Sequence, residues 1–235
     1  MTISEHRFED REAMLAALYQ AFVDDIEQAL SRQSTATLLL SGGSTPVPLY
    51  RSLSAAKLDW SRIHVALVDE RWVDAHSASS NEHLLRDNLL VQHAAAAHFT
   101  GMKNPAASPF DGVQECNAAY LGLPSPYSLC LLGMGPYGHT ASLFPGAAGL
   151  TEALVSKTHC AAIRAIRSAV TGDNLERMTM TPWSLLQSRK LILLITGNDK
   201  WDIYQRARNN GAVPELPVSL FLEQNEVPVE VYWSA

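Results

Sequence analysis

The stretch TATLLLSGGSTP, Thr35 to Pro46, sets the architecture. Its apolar run, ending in three leucines, shows no polar alternation. A strand of that kind is covered on both faces, as in a parallel sheet flanked by helices. Two glycines stop the run. Thr45-Pro46 then reads as an N-cap followed by a first helical residue, opening a helix to about Ala56. The unit is strand, glycine loop, helix.

The same unit recurs along the chain. Ile63–Val68, IHVALV, is a second apolar strand, and it ends at Asp69-Glu70-Arg71. Ser79 with Glu82 matches a capping box before the helical stretch NEHLLRDNLLVQ. A helix is expected over 109–122, with strands at Tyr127–Leu132 and Ala161–Ile166. Thr181-Pro182 opens a helix to Ser188, Lys190–Thr196 is the clearest strand, a helix runs from Asn198 to about Arg208, and Glu230–Trp233 is the last strand. Upstream, Leu15, Leu18, Phe22, Ile26 and Ala29 fall at helical spacing between Glu12 and Leu30, with Asp24, Asp25 and Glu27 on the other face. Strands alternating with helices predict an α/β fold with a mostly parallel sheet covered on both faces.

Composition narrows the function. The 235 residues are 47% hydrophobic and 18% charged, with a net charge of −6 and no basic stripe, which argues against a nucleic-acid partner. Three cysteines, Cys116, Cys130 and Cys160, lack the spacing of a zinc site or a disulfide framework. The opening MTISEHRFEDRE has no apolar signal core, and no apolar stretch is long enough to span a bilayer. A cytoplasmic protein with no membrane partner is the expectation.

In such sheets ligands gather at the carboxyl ends of the strands. Four loops leave predicted strands there: SGGST, DERW, GMGPYGH and TGNDK. In the first, Gly42 and Gly43 permit close backbone approach, and Ser44 and Thr45 supply hydroxyls beside a helix N-terminus, a setting for an anion. The same residues equally make a tight turn with a capped helix. In the second, Arg71 suits bidentate contact with a phosphate, and Asp69 and Glu70 suit orientation of that arginine or of a hydroxyl. A solvated ion-pair loop would look the same. In the third, His139 lies among Gly133, Gly135 and Gly138, giving a titratable imidazole access to a ligand. A histidine that merely caps the next helix is the bland alternative. In the fourth, Lys200 places a cation in the first turn of a helix, against the dipole, which suggests an anionic partner. Arg164, Arg167 and Arg177 are three candidates for a further phosphate donor, and the sequence does not choose among them. Asn81 is expected near the same rim. With no GxSxG and no HExxH pattern, water attack assisted by a base is the simplest chemistry.

Taken in order, SGGSTP, DERWV, SN-x4-RDNLL, GMGPYGHTASLFPG, ERMTMTP and TGNDK resemble the 6-phosphogluconolactonase family of the pentose phosphate pathway. The resemblance runs from about Leu38 nearly to the C-terminus and takes in Pro217-Val218-Ser219. It implies a three-layer α/β/α fold with a modified Rossmann-like sheet, shared with glucosamine-6-phosphate deaminases, in one domain over 1–235. It implies hydrolysis of 6-phospho-D-glucono-1,5-lactone with no metal or organic cofactor, and a monomer is the expectation. Under the resemblance, His139 is the general base and Asp69 occupies the position of a catalytic carboxylate in the deaminases. Gly42, Gly43, Ser44, Thr45, Arg71, Arg177 and Lys200 become phosphate or substrate contacts. One position departs: the family reads GxGxDGH, and Tyr137 stands where that aspartate belongs. Asp69 or Glu70 substituting in space would compensate. Two other readings are a glucosamine-6-phosphate deaminase-like enzyme, against which DERW stands in place of the deaminase DEY, and a non-catalytic sugar-phosphate-binding module.

Overall fold

The computed structural model describes residues 3–210 and 213–235. In chain order the elements are β1 (Ile3–Phe8), α1 (Arg11–Arg32), β2 (Ala36–Leu40), α2 (Val47–Ser54), β3 (Ile63–Leu67), β4 (Asp69–Arg71) and α3 (Asn81–Asn88). Then come β5 (His98–Thr100), α4 (Pro109–Leu121), β6 (Leu129–Gly133), α5 (Leu150–Val155), β7 (Cys160–Arg164) and β8 (Glu176–Met180). The chain closes with α6 (Pro182–Leu185), β9 (Leu191–Thr196), α7 (Asn198–Asn210), α8 (Ser219–Glu223) and β10 (Val229–Ser234).

Seven strands form one sheet in the order β1-β10-β9-β6-β2-β3-β5, and every pairing in it is parallel. Helices cover both sides. The central strands β2 and β9 are apolar and buried almost throughout, as continuous runs in a doubly covered sheet must be. From β2 the chain winds outward through β3 to β5, then returns to β6 on the other side of β2 and winds the opposite way. The reversal falls between β2 and β6, whose carboxyl ends therefore open a crevice.

Helix α1 buries Met14, Leu18, Phe22, Ile26 and Ala29. Met14 holds the place that the periodicity assigned to Leu15, which lies at the margin of the stripe. Asp10 caps this helix by accepting from the Ala13 N–H at 2.8 Å. At α3 the cap is Ser80 rather than Ser79: the Ser80 hydroxyl accepts from the His83 N–H, while Glu82 pairs with Arg86. Helix α3 stops at Asn88, short of the expected Gln92, and α2 starts at Val47 with Pro46 at its N-cap position and no side-chain cap.

A second, antiparallel sheet ordered β4-β8-β7 takes in Asp69–Arg71, read as a loop, Glu176–Met180, assigned no element, and Cys160–Arg164, within the expected strand Ala161–Ile166. Asp69–Arg71 pairs with Arg177–Thr179, so Arg71 lies directly opposite Arg177. Three-residue β4 is too short to show a period, and β8 carries charge at its start, so neither has the apolar signature of a strand. The N-terminal ISEHRF, read only as polar, is edge strand β1; its Glu5 accepts from Tyr204 and pairs with Arg7 and Arg208. Edge position and ion pairing replace the apolar pattern there. Side chains from both sheets, among them Leu38, Leu131, Leu193, Ile163 and Met178, join one buried cluster. All three cysteines are buried and free.

Candidate active site

The crevice at the β2/β6 reversal is a cleft of about 210 Å³. Its walls include Gly42, Gly43, Thr45, Asp69, Arg71, His139 and Lys200, which the sequence placed on four separate loops, together with Arg177 from outside those loops. Ser44 shares the first loop but does not line the cleft. Of the three candidate arginines, Arg177 lines this cleft, whereas Arg164 is exposed and paired with Glu176 and Arg167 is exposed and paired with Asp173.

His139 is fixed by packing. A Cβ on Gly135 would fall 1.8 Å from its Cε1, so only glycine lets the ring lie flat on that backbone. On its other side the ring centroid is 4.3 Å from that of Phe144. The loop holds itself closed: Gly135 N–H donates to the His139 carbonyl at 2.9 Å, and Thr140 Oγ1 donates to the Gly133 carbonyl at 2.8 Å. Val218 N–H donates to the Gly138 carbonyl, tying in the Pro217-Val218-Ser219 stretch. Burial, with the nearby positive charges of Lys200 and Arg177, pushes the imidazole down to about 4. At neutral pH it is uncharged and able to accept a proton. Its Nδ1 is buried with no hydrogen-bond partner among the described residues.

Among the described residues, no acid hydrogen-bonds His139 in place of the aspartate missing at Tyr137. Glu70 is committed elsewhere: its carboxylate accepts from the backbone N–H of Arg71, Asn81 and Glu82 and from the Ser80 hydroxyl, at 2.7–2.9 Å. Burial raises its pKa, and those four donors oppose the rise. Asp69 accepts from Ser142 Oγ at 2.5 Å and from Asn81 Nδ2 at 3.3 Å. Tyr137 is 53% exposed and faces an outer apolar groove with Pro145, Ile166 and Leu216.

The cations are unpaired by design of the fold. Among the described residues, Arg71, Arg177 and Lys200 form no ion pair with a carboxylate. Antiparallel register sets Arg71 against Arg177, a like-charge juxtaposition that costs stability unless an anion lies between them. Arg177 is lowered to about 10, chiefly by burial and then by Arg71, and stays charged at neutral pH. Burial also lowers Lys200. Arg177 spends Nε on the Asn174 carbonyl and Nη2 on that of Thr171, which anchors the 171–174 loop beside the cleft. Arg71 Nη1 donates to Ser79 O and Asn81 Oδ1. No cluster of three or more His, Cys, Asp or Glu side chains suited to a metal occurs among the described residues.

Residues 9–233 match the family model described as glucosamine-6-phosphate isomerases/6-phosphogluconolactonase. The chain belongs to that family. Within it, the chain is 36% identical over 234 residues to the 6-phosphogluconolactonase of Rhizobium meliloti strain 1021, covering 100% of both chains. It is 36% identical to that of Mesorhizobium japonicum over 97% of this chain and 93% of the relative. A crystal structure of a 6-phosphogluconolactonase from Shewanella baltica superposes with a TM-score of 0.94 at 33% identity, covering 100% of this chain and 98% of the other.

Ser142 and Phe144 are family-loop residues whose place in the site sequence reasoning missed. Ser142 reaches Asp69 across 73 positions of chain, and nothing local announces that contact.

Proposed function

We propose that this chain hydrolyses 6-phospho-D-glucono-1,5-lactone to 6-phospho-D-gluconate. The observation that carries the reading is a half-buried imidazole, His139, in one cleft with three cations that lack a carboxylate partner among the described residues. The full-length similarity to 6-phosphogluconolactonases supports it. Arg71, Arg177 and Lys200 grip the phosphate, assisted by Gly42, Gly43 and Thr45; Ser44 contributes at most through its backbone. Phosphate binding at one end of the substrate positions the ring for reaction at the other. His139 removes a proton from the water as it attacks C1, and loop N–H groups receive the developing oxyanion. Asp69, held by Ser142 and Asn81, orients a substrate hydroxyl or the attacking water. The bond between C1 and the ring oxygen breaks, and the proton returns to that oxygen.

The working unit in this reading is a monomer of one domain over 1–235, acting in the cytoplasm without metal, organic cofactor or nucleic acid. Among the described residues no helix is long and apolar enough to cross a membrane. The unpartnered Nδ1 of His139 favours one rival, a non-catalytic sugar-phosphate-binding module. Purified protein is expected to accelerate lactone hydrolysis above the spontaneous rate, followed by acid release, and to liberate no ammonia from glucosamine 6-phosphate. Binding of 6-phosphogluconate without acceleration would establish the binding module, and ammonia release would establish the deaminase.

Tyr137→Asp tests the departure in the loop. Tyr137 faces the outer groove and His139 is held by Gly135 and Phe144. The substitution is therefore expected to leave kcat within about tenfold of the parent value, small beside the ~10²–10⁴ that a positioned proton acceptor contributes. A gain of two orders of magnitude would show that the imidazole lacks an orienting acid.

A further inference from the structure

On β4, Asp69 and Arg71 are two residues apart and so project from the same face of the strand. At that spacing a carboxylate and a guanidinium are free to join, which would neutralise both. They do not join: the side chain of Asn81 stands at both. Its Nδ2 donates to the Asp69 carbonyl at 2.8 Å and to Asp69 Oδ1 at 3.3 Å, and its Oδ1 accepts from Arg71 Nη1 at 3.0 Å. The carboxamide assignment follows from chemistry, because arginine only donates and a carboxylate only accepts. An amide is the neutral side chain that offers an acceptor to one and a donor to the other.

Asn81 is itself tightly held. It is 2% exposed, and its backbone N–H donates to Glu70 Oε1 at 2.7 Å. A Cβ on Gly42 would fall 1.9 Å from Asn81 Oδ1, so the carboxamide lies directly on the backbone of the first loop. Asn81 therefore touches Gly42, Asp69 and Arg71, three of the groups assigned to the substrate. Arg71 Nε is buried without a partner among the described residues, which leaves a donor of the guanidinium uncommitted.

We propose that Asn81 is a positioning residue that keeps Asp69 and Arg71 from pairing with each other, and so keeps the Arg71 guanidinium available to the phosphosugar. This rests on the lactonase reading for the ligand but not for the geometry. Removing the amide in Asn81→Ala lets Arg71 fall onto Asp69. Affinity for 6-phosphogluconate and KM for the lactone are expected to worsen by roughly tenfold, the loss of one charge-assisted contact, with a smaller change in kcat.

The decisive control is Asn81→Ala/Asp69→Asn. With no carboxylate to capture Arg71, removing the amide is expected to change 6-phosphogluconate affinity by less than about threefold relative to Asp69→Asn alone, well inside the tenfold of one charge-assisted contact. A residue that merely starts α3 would not be rescued this way. The crystal structure of Asn81→Ala supplies a readout independent of activity: Arg71 and Asp69 within ion-pair distance supports the proposal, and the two still apart overturns it. If the parent protein does not bind 6-phosphogluconate, the lactonase reading fails while that structure still decides the role of Asn81. Should Asn81→Ala not fold, the isosteric Asn81→Asp serves instead. Its carboxylate pairs with Arg71, and unchanged 6-phosphogluconate affinity would overturn the proposal.

Discussion

His139→Ala is expected to lower kcat by about 10²–10⁴ while leaving 6-phosphogluconate affinity near that of the parent. The size follows from the role: the ring is the only uncharged nitrogen base lining the cleft among the described residues, and phosphate binding falls to other side chains. The change removes a ring that packs at a tilt against Phe144 and creates space beside Gly135 without uncovering a charge. A pH profile sharpens the test. The reaction needs the unprotonated imidazole, so kcat/KM falls as pH drops through the pKa of His139 in the free enzyme. That fall is expected towards pH 4, well below the ordinary histidine value, because burial and then Lys200 and Arg177 disfavour the imidazolium. Lys200→Met removes one of those charges and should move the limb upward. A bound phosphate dianion acts in the same direction, so the limb in kcat should lie above that in kcat/KM. Retained kcat in His139→Ala would remove this residue from the mechanism, and a limb near 6.5 would show that the ring is not desolvated.

What the sequence made legible follows from how each part is encoded. The strands β2, β3, β6 and β9 are buried on both faces, and their runs of Leu, Ile and Val stop at loops rich in glycine or charge. That pattern is local, so the sheet and the loops at its carboxyl rim were readable. Strand β1 escaped because an edge strand carrying Glu5 and Arg7 has no apolar run, and β4 because three residues hold no period. The second sheet is built by pairing distant segments, and only that pairing sets Arg71 against Arg177. Candidate residues were therefore nameable one by one, whereas their mutual engagement was not. The fate of Glu70 shows the difference. In the sequence it is one of two adjacent acids, available to orient His139. In the fold, strand alternation turns Asp69 towards the cleft and Glu70 towards the start of α3.

That placement makes Glu70→Gln the substitution with the largest expected effect on stability, about 2–4 kcal/mol, although glutamine has the same shape. Glu70 is 1% exposed, and each carboxylate oxygen accepts two hydrogen bonds. Three of the four donors are backbone N–H groups, which cannot reverse. The amide replaces one accepting oxygen with an NH2 group. If the amide nitrogen faces Ser80 and Glu82, the Ser80 hydroxyl can turn to accept, but the Glu82 N–H is left buried against another donor. If it faces Arg71 and Asn81, two N–H groups are orphaned. Either arrangement also removes a negative charge from the N-terminus of α3, where the helix dipole favours one. For a chain of this length the loss corresponds to a drop of roughly 4–16 °C in Tm. Urea unfolding measures it directly, with Ser80→Ala as comparison, expected to cost about 1–2 kcal/mol for the lost cap and the lost hydroxyl donor, with every backbone N–H at Glu70 still satisfied. A Glu70→Gln protein within 1 kcal/mol of the parent would mean that these donors find other acceptors. Because Asn81 hangs from the same carboxylate, the variant should also weaken 6-phosphogluconate binding, coupling the start of α3 to the cleft through one buried acid.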